Sequence, residues 1–323
     1  MPAARCTDQE FINLWQANPS ASQMAEILKL DVRAICSRRR AIEQRHGLRL
    51  KATDPRSPDS MLITHDRVEV KIGLENGVIL VSGDLHFRPK YQVPTMHRAM
   101  LYLAKKLKPY AIVWNGDVAD FPQISRHPSI GWEGYPTVAE EIECIGDRSA
   151  ELMKAAPAAK RIWNLGNHCL RMESRIANTL PEMRNMKGVH LKDHFPEWVP
   201  SWFVTVNEHT KSHTEIRHRE KGGVHASYNN TKESGVTLVT GHDHRADVVP
   251  YIDRRGIRYG VRHGMGADSP RDPQFVHYLE GKQTNWQSGI AVLTYRNGEL
   301  LMPELALRRS DNSFQFRGEI VSV

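Results

Sequence analysis

The sequence predicts an α/β fold preceded by a small helical module. Short apolar runs of strand length recur along the chain, and segments with helical periodicity separate them. Each run is followed at once by a glycine and then by an Asp, Asn or His. The first fifty residues show only helical patterns. A chain of 323 residues is long enough for one domain of about 250 residues and one much smaller unit.

The N-terminal module, residues 1–51, has the outline of a helix-turn-helix. Apolar residues at helical spacing predict a first helix over 8–18, and a similar pattern predicts a second helix after it. Asp31 is placed to cap a third helix, whose apolar side carries Ile35 and Ile42. Three short helices with a tight turn between the second and third are typical of DNA-binding modules of this kind.

The third helix of this module is strongly basic. Between Asp31 and Lys51 there are seven Lys or Arg residues against two acids, which supplies five of the seven net positive charges of the chain. Clustered arginines on a helix suit contacts with the phosphates and grooves of DNA. The alternative is a basic, solvated helix in a small packing domain. The candidate DNA-binding residues are Arg33, Arg38, Arg39, Arg40 and Arg45.

Residues 52–60 are polar and rich in proline and serine, which predicts a linker. The larger domain then covers residues 61–323. Four apolar runs in it predict buried strands at 78–82, 111–115, 161–165 and 236–240. The polar residues that follow these runs are Asp84 with His86, Asp117 with Asp120, Asn167 with His168, and His242 with His244.

Strand ends are the usual position of a site in a fold of sheets and helices. The glycine before each polar residue lets the backbone turn sharply. Carboxylate, amide and imidazole ligands without thiolate suit Mn²⁺, Fe or Zn²⁺ in a catalytic site. The spacing of the motifs therefore predicts a metal centre at the strand ends.

In this order, the motifs resemble those of the calcineurin-like metallophosphoesterase superfamily, from about Val78 to Arg245. The resemblance implies a four-layer αββα sandwich and a hydrolase that uses two divalent ions. We expect Mn²⁺, with Zn²⁺ or Fe as alternatives. Two ions about 3.5–4 Å apart clamp the attacking and leaving oxygens of a displacement at phosphorus.

The resemblance also implies a role for each residue of the motifs. Asp117 would bridge the two ions. A hydroxide between the ions would be the nucleophile. His168 would face the phosphate and protonate the leaving oxygen, and Asp120 would orient its ring. The remaining ligands would be Asp84, His86 and His244 for one ion, and Asn167, His242 and a histidine of a fifth motif for the other.

Two positions depart from the family pattern. The acidic residue that usually follows the histidine of the third motif is replaced by Cys169, so we expect altered support for the site rather than an inactive one. The fifth motif, usually His-Gly, has two candidates. His218 ends a predicted strand but precedes Arg219, whereas His225 lies in a loop or helix start. We prefer His218 because strand-end placement matches the other ligands.

The C-terminal stretch from Tyr251 to Val323 contains several short β-like segments. Asn297-Gly298 is a strong hairpin sequence. We expect these strands to complete the second sheet of the sandwich.

We predict hydrolysis of phosphodiesters, most plausibly in DNA, because a basic helical module precedes the phosphoesterase motifs. Two alternatives stay open: a small-molecule phosphomonoesterase or cyclic-nucleotide phosphodiesterase, and a DNA-binding regulator with a non-catalytic core. A partner ATPase or a homo-oligomer is compatible with the sequence. No apolar run approaches the ~20 residues of a membrane helix, and four cysteines show no paired spacing. We therefore expect a cytoplasmic protein without a membrane partner.

Overall fold

The computed structural model describes residues 6–17, 21–48, 50, 69–127, 134–268, 279–280 and 282–323. The chain divides into two compact units, Met1–Asp66 and Arg67–Val323, and each is described by itself. The predicted linker, residues 52–60, lies outside the described residues. No helix in the described part of the chain is long and apolar enough to cross a membrane.

The N-terminal unit consists of three helices: α1 (Asp8–Ala17), α2 (Ala21–Leu28) and α3 (Val32–His46). The predicted cap of the third helix is confirmed, because the Asp31 side chain accepts a hydrogen bond of 2.9 Å from the backbone N–H of Ala34. The position where a glycine often turns the chain is held by Lys29, whose φ is 49°. The buried core of the unit is formed by Phe11, Ile12, Trp15, Met24, Leu28, Ile35, Ile42 and Leu50.

The larger unit contains two β-sheets. The strands of the six-stranded sheet, in spatial order, are β1 (Glu69–Ile72), β6 (Phe203–Val206), β7 (Thr214–Arg217), β8 (Thr237–Thr240), β10 (Gly256–His263) and β9 (Ala246–Asp253). The nine-stranded sheet has the order β15 (Glu319–Ser322), β14 (Ser313–Phe316), β13 (Glu304–Ser310), β11 (Gly289–Arg296), β2 (Gly77–Ser82), β3 (Ala111–Asn115), β4 (Lys160–Asn164) and β5 (Val199–Ser201), with β12 (Glu299–Leu300) paired to β11.

Five helices and two 3₁₀ turns lie in the described part of this unit. They are α4 (Thr95–Leu107), α5 (Val138–Ala155), α6 (Arg171–Thr179), α7 (Leu191–His194) and α8 (Ala226–Ser234), with 3₁₀ turns at Pro122–Ile124 and Pro181–Asn185. Helix α4 contacts the nine-stranded sheet and α5, while α8 contacts β8, β9 and β10 of the other sheet. This layering confirms the predicted αββα sandwich with a small helical module before it.

The main core lies between the two sheets and is built from alternate strand residues. Val81 and Val113 of the nine-stranded sheet belong to the same buried cluster as Val204 and Val239 of the six-stranded sheet. Strands β2, β3 and β4 run parallel, as do β7 and β8. Because parallel strands end at the same edge, the residues that follow them are brought to one end of the sandwich.

The sequence suggests that the C-terminal strands complete one sheet. In the structure they are divided between the two sheets. Strands β9 and β10 join the six-stranded sheet, where β10 pairs in parallel with β8. Strand β11 pairs antiparallel with β2, and β12 to β15 extend the nine-stranded sheet from there. Short apolar segments show that strands exist, but the partner of each strand depends on long-range packing. The predicted hairpin at Asn297-Gly298 is observed between β11 and β12.

Candidate metal centre

The predicted ligands meet where the ends of strands from both sheets converge. Strands β2, β3 and β4 lead into Asp84, Asp117 and Asn167, while β7 and β8 lead into His218 and His242. The two aspartates are fully buried. Since these strands belong to two different sheets, the centre lies across the junction of the sandwich.

The backbone at this centre is unusual. Five of the predicted ligands have left-handed φ angles between 41° and 72°, a region that residues other than glycine seldom adopt. Such a conformation costs about 1–3 kcal/mol per residue and persists only where the surrounding structure imposes it. The surrounding structure therefore imposes this conformation on the backbone of the centre. The five residues are Asp84, His86, Asp117, His242 and His244.

Two positions must be glycine because a predicted ligand side chain lies very close to the backbone there. A Cβ atom on Gly166 would lie 2.1 Å from Oδ1 of Asp117, and one on Gly116 would lie 2.3 Å from the ring of His218. No side chain fits at these distances without moving the predicted ligands. The glycines of the motifs therefore serve the packing of the site as well as the turn of the chain.

One cluster of ligand atoms consists of Asp84, His86 and His244, whose candidate atoms lie within 4.8 Å of one another. Oδ1 of Asp84 is 3.1 Å from Nε2 of His244. The other oxygen, Oδ2, accepts a hydrogen bond of 2.9 Å from the backbone N–H of His242. Because His242 belongs to a second cluster, this hydrogen bond shows that the two clusters adjoin.

The second cluster consists of Asp117, His218 and His242. Nε2 of His218 is 3.0 Å from Oδ2 of Asp117, and its Nδ1 lies 2.8 Å from the carbonyl oxygen of Asn115, which fixes the ring. Oδ1 of Asn167 is a buried atom without a hydrogen-bond partner among the described residues.

The alternative fifth-motif histidine lies elsewhere. His225 is exposed at the start of α8 and belongs to neither cluster of candidate ligand atoms in the described chain. His218 directly follows β7 and is 2 % exposed. The geometry therefore favours His218 as the fifth-motif residue.

A third group connects the centre to a protonatable side chain. Nδ1 of His168 is 2.6 Å from Oδ1 of Asp120, and Nδ1 of His86 is 3.6 Å from the same oxygen. The backbone N–H of His168 donates to Oδ1 of Asp117 at 2.8 Å. The predicted pairing of His168 with Asp120 thus has the geometry of a hydrogen bond beside the two clusters.

Arg171 was not singled out by the sequence. Its Nη1 donates to the carbonyl oxygen of Asp120 at 2.7 Å, and its Nη2 lies 3.3 Å from Nε2 of His168. The guanidinium therefore places a permanent positive charge beside the imidazole. The position of Arg171 at i+3 from His168 was visible in the sequence, but only the turn into α6 brings the two side chains together.

Burial and nearby charges shift the pKa values of the buried groups at the centre in opposite directions. Burial alone would raise the pKa of Asp84 and of Asp117, but the charges of His244 and His218 outweigh it and lower both pKa values well below the ordinary range. Burial likewise opposes the charged form of His218, yet Asp117 and Asp84 raise its pKa to about 9. Both carboxylates are therefore ionised at neutral pH, with cationic charge beside them.

The residues present fit a pair of divalent cations. Two ionised carboxylates in a buried site need strong compensation, since an uncompensated buried charge costs several kcal/mol. The unpartnered Oδ1 of Asn167 is the kind of oxygen that a cation coordinates. The donor set consists of oxygens and imidazole nitrogens, which divalent transition metals accept.

Cys169 occupies the position where the family pattern has an acid. Its thiol is fully buried, and Sγ accepts a hydrogen bond of 3.3 Å from the backbone N–H of Val118. Burial raises the pKa of the thiol to about 11. The neutral thiol therefore supports the loop that carries Asp117.

A layer of buried amides lies behind the centre. Nδ2 of Asn164 donates to Oδ1 of Asn115 at 2.8 Å and to the carbonyl oxygen of Ile216 at 2.9 Å. Nδ2 of Asn115 lies 3.1 Å from Nε2 of His263 and donates to the carbonyl oxygen of Arg217 at 3.0 Å. These bonds join β3 and β4 of one sheet to β7 and β10 of the other.

The arginines of the N-terminal unit have different surroundings. Arg38 donates to the carbonyl oxygen of Cys6, Arg39 pairs with Glu43 at 3.6 Å, and Arg45 pairs with Asp8 at 3.2 Å. Arg38 and Arg39 also lie over the rings of two core aromatic residues. Arg33 and Arg40 are exposed. Three of the five candidate DNA-binding arginines therefore take part in contacts within the unit, and two face solvent.

The geometry agrees with a comparison of the chain with known protein families. The model of the family described as calcineurin-like phosphoesterase matches residues 77–265, more than half of the chain. The chain belongs to this family. Membership, together with the adjoining clusters of candidate ligands, indicates a metal-dependent hydrolase that binds divalent cations.

Individual proteins that resemble this chain have low sequence identity to it. The Gene 54 proteins of Mycobacterium phages L5 and D29 are 29% and 28% identical to this chain over 250 residues, covering 71% of it and 91% of each relative. Vps29 from Entamoeba histolytica in complex with Zn²⁺ is 13% identical, with a TM-score of 0.36 and coverage of 76% of this chain and 96% of that one. A dimetal phosphatase from Danio rerio is 7% identical, with a TM-score of 0.35 and coverage of 77% and 99%.

The buried carboxyl group of Glu141 makes the stability of the fold depend on pH. The side chain is fully buried, and its Oε2 accepts hydrogen bonds of 2.9 Å from the backbone N–H groups of Asp120 and Phe121. Burial raises the pKa of Glu141 from 4.5 to about 7. Between these values the folded protein binds a proton that the unfolded chain lacks, so stability falls as the pH rises through this window.

We expect Glu141→Gln to remove this loss, because glutamine keeps an acceptor oxygen and cannot ionise. The free energy of unfolding of the natural protein should fall by about 2–3 kcal/mol more than that of the variant between about pH 4.5 and pH 8. Urea unfolding at several pH values measures this difference. Glu143→Gln, an exposed carboxylate on the same helix, is the control. Equal pH slopes in Glu141→Gln and the natural protein would contradict the assignment.

Proposed function

We propose that the protein is a two-metal phosphoesterase that hydrolyses phosphodiester bonds in DNA. The observation that carries the proposal is the pair of adjoining carboxylate–histidine clusters, joined by the hydrogen bond from His242 to Asp84 and flanked by His168. Membership of the phosphoesterase family supports the hydrolysis of a phosphate ester. The choice of DNA rests on the basic N-terminal unit.

In this proposal, Asp84, His86 and His244 would hold one cation, Asn167, His218 and His242 would hold the other, and Asp117 would contribute to both sites. Two bound divalent cations supply Lewis-acid stabilisation of the charge that develops on the phosphate. The oxygen and imidazole donors suit Mn²⁺ best, and they also accept Zn²⁺ or Fe.

His168 and its neighbours perform the proton transfer in this proposal. Asp120 accepts a hydrogen bond from Nδ1, so the ring is held with Nε2 directed toward the clusters, 4.0 Å from Oδ2 of Asp117. His168 is then placed to give a proton to the leaving oxygen. Arg171 adds a positive charge 3.3 Å from Nε2, where it also attracts the anionic ester.

The N-terminal unit supports DNA as the substrate through charge and exposure. Arg33 and Arg40 are seven residues apart on α3, two turns of the helix, and both face solvent together with Ser37 and Gln44. Residues at this spacing share one face of a helix, and arginine, serine and glutamine contact phosphates and base edges. A DNA-binding unit fused to a phosphoesterase raises the local concentration of DNA at the catalytic centre.

The ligand assignment predicts different outcomes for two histidines. His218→Ala should lose about one equivalent of Mn²⁺ per chain, because the second cluster loses a buried donor. His225→Ala, the matched control, should keep both equivalents, because its side chain is exposed and outside the clusters. Metal analysis after equilibrium dialysis measures both variants. Loss of metal from His225→Ala with full binding by His218→Ala would overturn the assignment.

Cleavage of DNA tests the function itself. End-labelled single- and double-stranded oligonucleotides in Mn²⁺ should be cut by the natural protein and not by Asp117→Asn, which removes a charge shared by both clusters. His168→Ala should keep its metal and lose about 10²–10⁴ in rate, the usual contribution of a general acid. Hydrolysis of p-nitrophenyl phosphate without any cutting of DNA would indicate a small phosphomonoester as substrate. Turnover of neither substrate with any metal would leave a non-catalytic core.

The exposed arginines predict a change in DNA affinity. Replacement of both Arg33 and Arg40 by alanine should weaken binding and reduce the slope of log K against log[salt] by about 2, because each phosphate contact contributes about 0.9. Arg38→Ala is the comparison, since that guanidinium already donates within the unit. Fluorescence anisotropy with the Asp117→Asn protein avoids cleavage during the titration. Unchanged affinity and slope in the double variant would place DNA binding elsewhere.

A further inference from the structure

A cavity of about 520 Å³ opens beside the candidate metal centre. Its walls are the loop 85–94 after β2, the first half of α5, and the residues that follow β10. His86 belongs to the first ligand cluster and also lines this cavity. A group bound there therefore lies next to the metal centre. The volume is within the range of small-molecule sites, about 300–1,000 Å³.

The charge of this cavity differs from that of the chain. Three cationic side chains stand against five anionic ones on its walls, in a protein with a formal net charge of +7. Arg308 pairs with two of the five acids, Asp268 and Asp311. The carboxylates of the wall that are unpaired in the described part of the chain suit a neutral group that carries N–H donors. The cationic residues are Arg88, Lys90 and Arg148, and the anionic ones are Glu140, Glu143, Asp147, Asp268 and Asp311.

Some of these charged groups are occupied by contacts within the fold. Lys90 pairs with Glu140 at 2.8 Å. Oδ2 of Asp268 accepts hydrogen bonds from the backbone N–H and hydroxyl of Thr95 at 3.0 and 3.2 Å, and its Oδ1 lies 3.2 Å from Nε of Arg308. These residues hold the walls together and are not available to a ligand.

Two carboxylates on the wall remain available. Glu143 and Asp147 are exposed, are four residues apart on α5 and therefore share one helix face. Across the described ranges, neither of them makes a hydrogen bond or an ion pair within the protein. They offer up to four acceptor oxygens to the cavity.

The cavity also contains an aromatic surface and a donor. Tyr91 is 48% exposed, with the guanidinium of Arg88 5.7 Å from its ring centroid. Arg148 pairs through Nη2 with Glu151 at 3.2 Å, while its Nε and Nη1 are buried and have no hydrogen-bond partner among the described residues. A flat ring stacks on the exposed face of a tyrosine.

We propose that this cavity binds the nucleobase next to the scissile phosphate, with a preference for bases that carry an exocyclic amino group. The amino group donates to Glu143 or Asp147, as carboxylates accept from cytosine N4 in DNA recognition. The ring stacks on Tyr91. The proposal rests on the proposed phosphodiesterase function. A base enters such a cavity only when it is unpaired, so the substrate is a single strand or a frayed end.

A pair of small diesters tests this assignment. One is the p-nitrophenyl ester of deoxycytidine 5′-phosphate, and the other is methyl p-nitrophenyl phosphate, which has the same leaving group and no base. The measured quantity is the ratio of the two kcat/KM values in Mn²⁺. In the double variant Glu143→Gln, Asp147→Asn, this ratio should fall on the order of tenfold, because two acceptors of the amino group are weakened. The thymidine ester, which lacks the amino group, should show a smaller change.

Tyr91→Ala should also lower the ratio, because the base loses its stacking surface. Tyr228→Ala is the matched control: this tyrosine is similarly exposed, at 41%, and lies on α8 outside the cavity. A ratio that stays the same in both cavity variants would overturn the proposal, even where the natural protein hydrolyses both esters.

Failure of the proposed function has a different outcome. If the natural protein hydrolyses neither ester, the phosphodiesterase proposal is wrong, and the cavity is then judged by binding alone. Isothermal titration of deoxycytidine into the full-length protein measures this without turnover. A heat of binding that the double variant abolishes would support the nucleobase site, and no heat with the natural protein would overturn it.

Discussion

The burial of two ionised carboxylates side by side is the constraint on which the centre depends. Asp84 and Asp117 are each at most 1% exposed, and neither carboxylate has a Lys or Arg partner among the described residues. Histidines provide the compensation, and Nε2 of His218 and of His244 each lie about 3 Å from a carboxylate oxygen. An imidazole can lose its proton and become a ligand when a cation binds, whereas a lysine or arginine would stay positively charged and repel the cation. A cation bound at the centre would therefore take over the compensation of the two carboxylates.

Holding these groups in place requires both sheets. The amides of Asn115 and Asn164 bond to each other and to backbone carbonyls of β7, and Asn115 also contacts His263 at the end of β10. A polar layer of this kind, with its amide hydrogens satisfied, fixes the register of one sheet against the other. The alignment of the two sheets at their junction sets the distance between the candidate ligands that follow β2 and β3 and those that follow β7 and β8. The strained left-handed turns at the ligands persist because this frame surrounds them.

Much of this arrangement was predictable from local sequence. Strand β3 has the predicted bounds, and the runs before Asp84, Asn167 and His242 became strands within one residue at each end. Apolar runs that end in glycine define strands and turns by short-range chemistry. What the sequence could not supply was long-range: the sheet to which each C-terminal strand belongs, and the approach of Arg171 and Glu141 to Asp120. Those contacts depend on how helices pack after the sheets have formed, and no local pattern encodes them.

The distribution of charge also separates two tasks within the chain. The basic segment of the N-terminal unit suits the phosphate backbone, which carries charge and little sequence information. The cavity beside His86 contains the exposed ring of Tyr91 and the carboxylates of Glu143 and Asp147, unpaired among the described residues, which suit the uncharged part of a nucleotide. The candidate metal centre would need only the phosphate of such a nucleotide. Had the cavity been basic, it would have competed with the metal centre for the same anionic group. In the proposed function, the unpaired carboxylates of Glu143 and Asp147 would instead make a phosphate more favourable at the cations than in the cavity. This difference would orient a nucleotide with its base in the cavity and its phosphate at the metal centre.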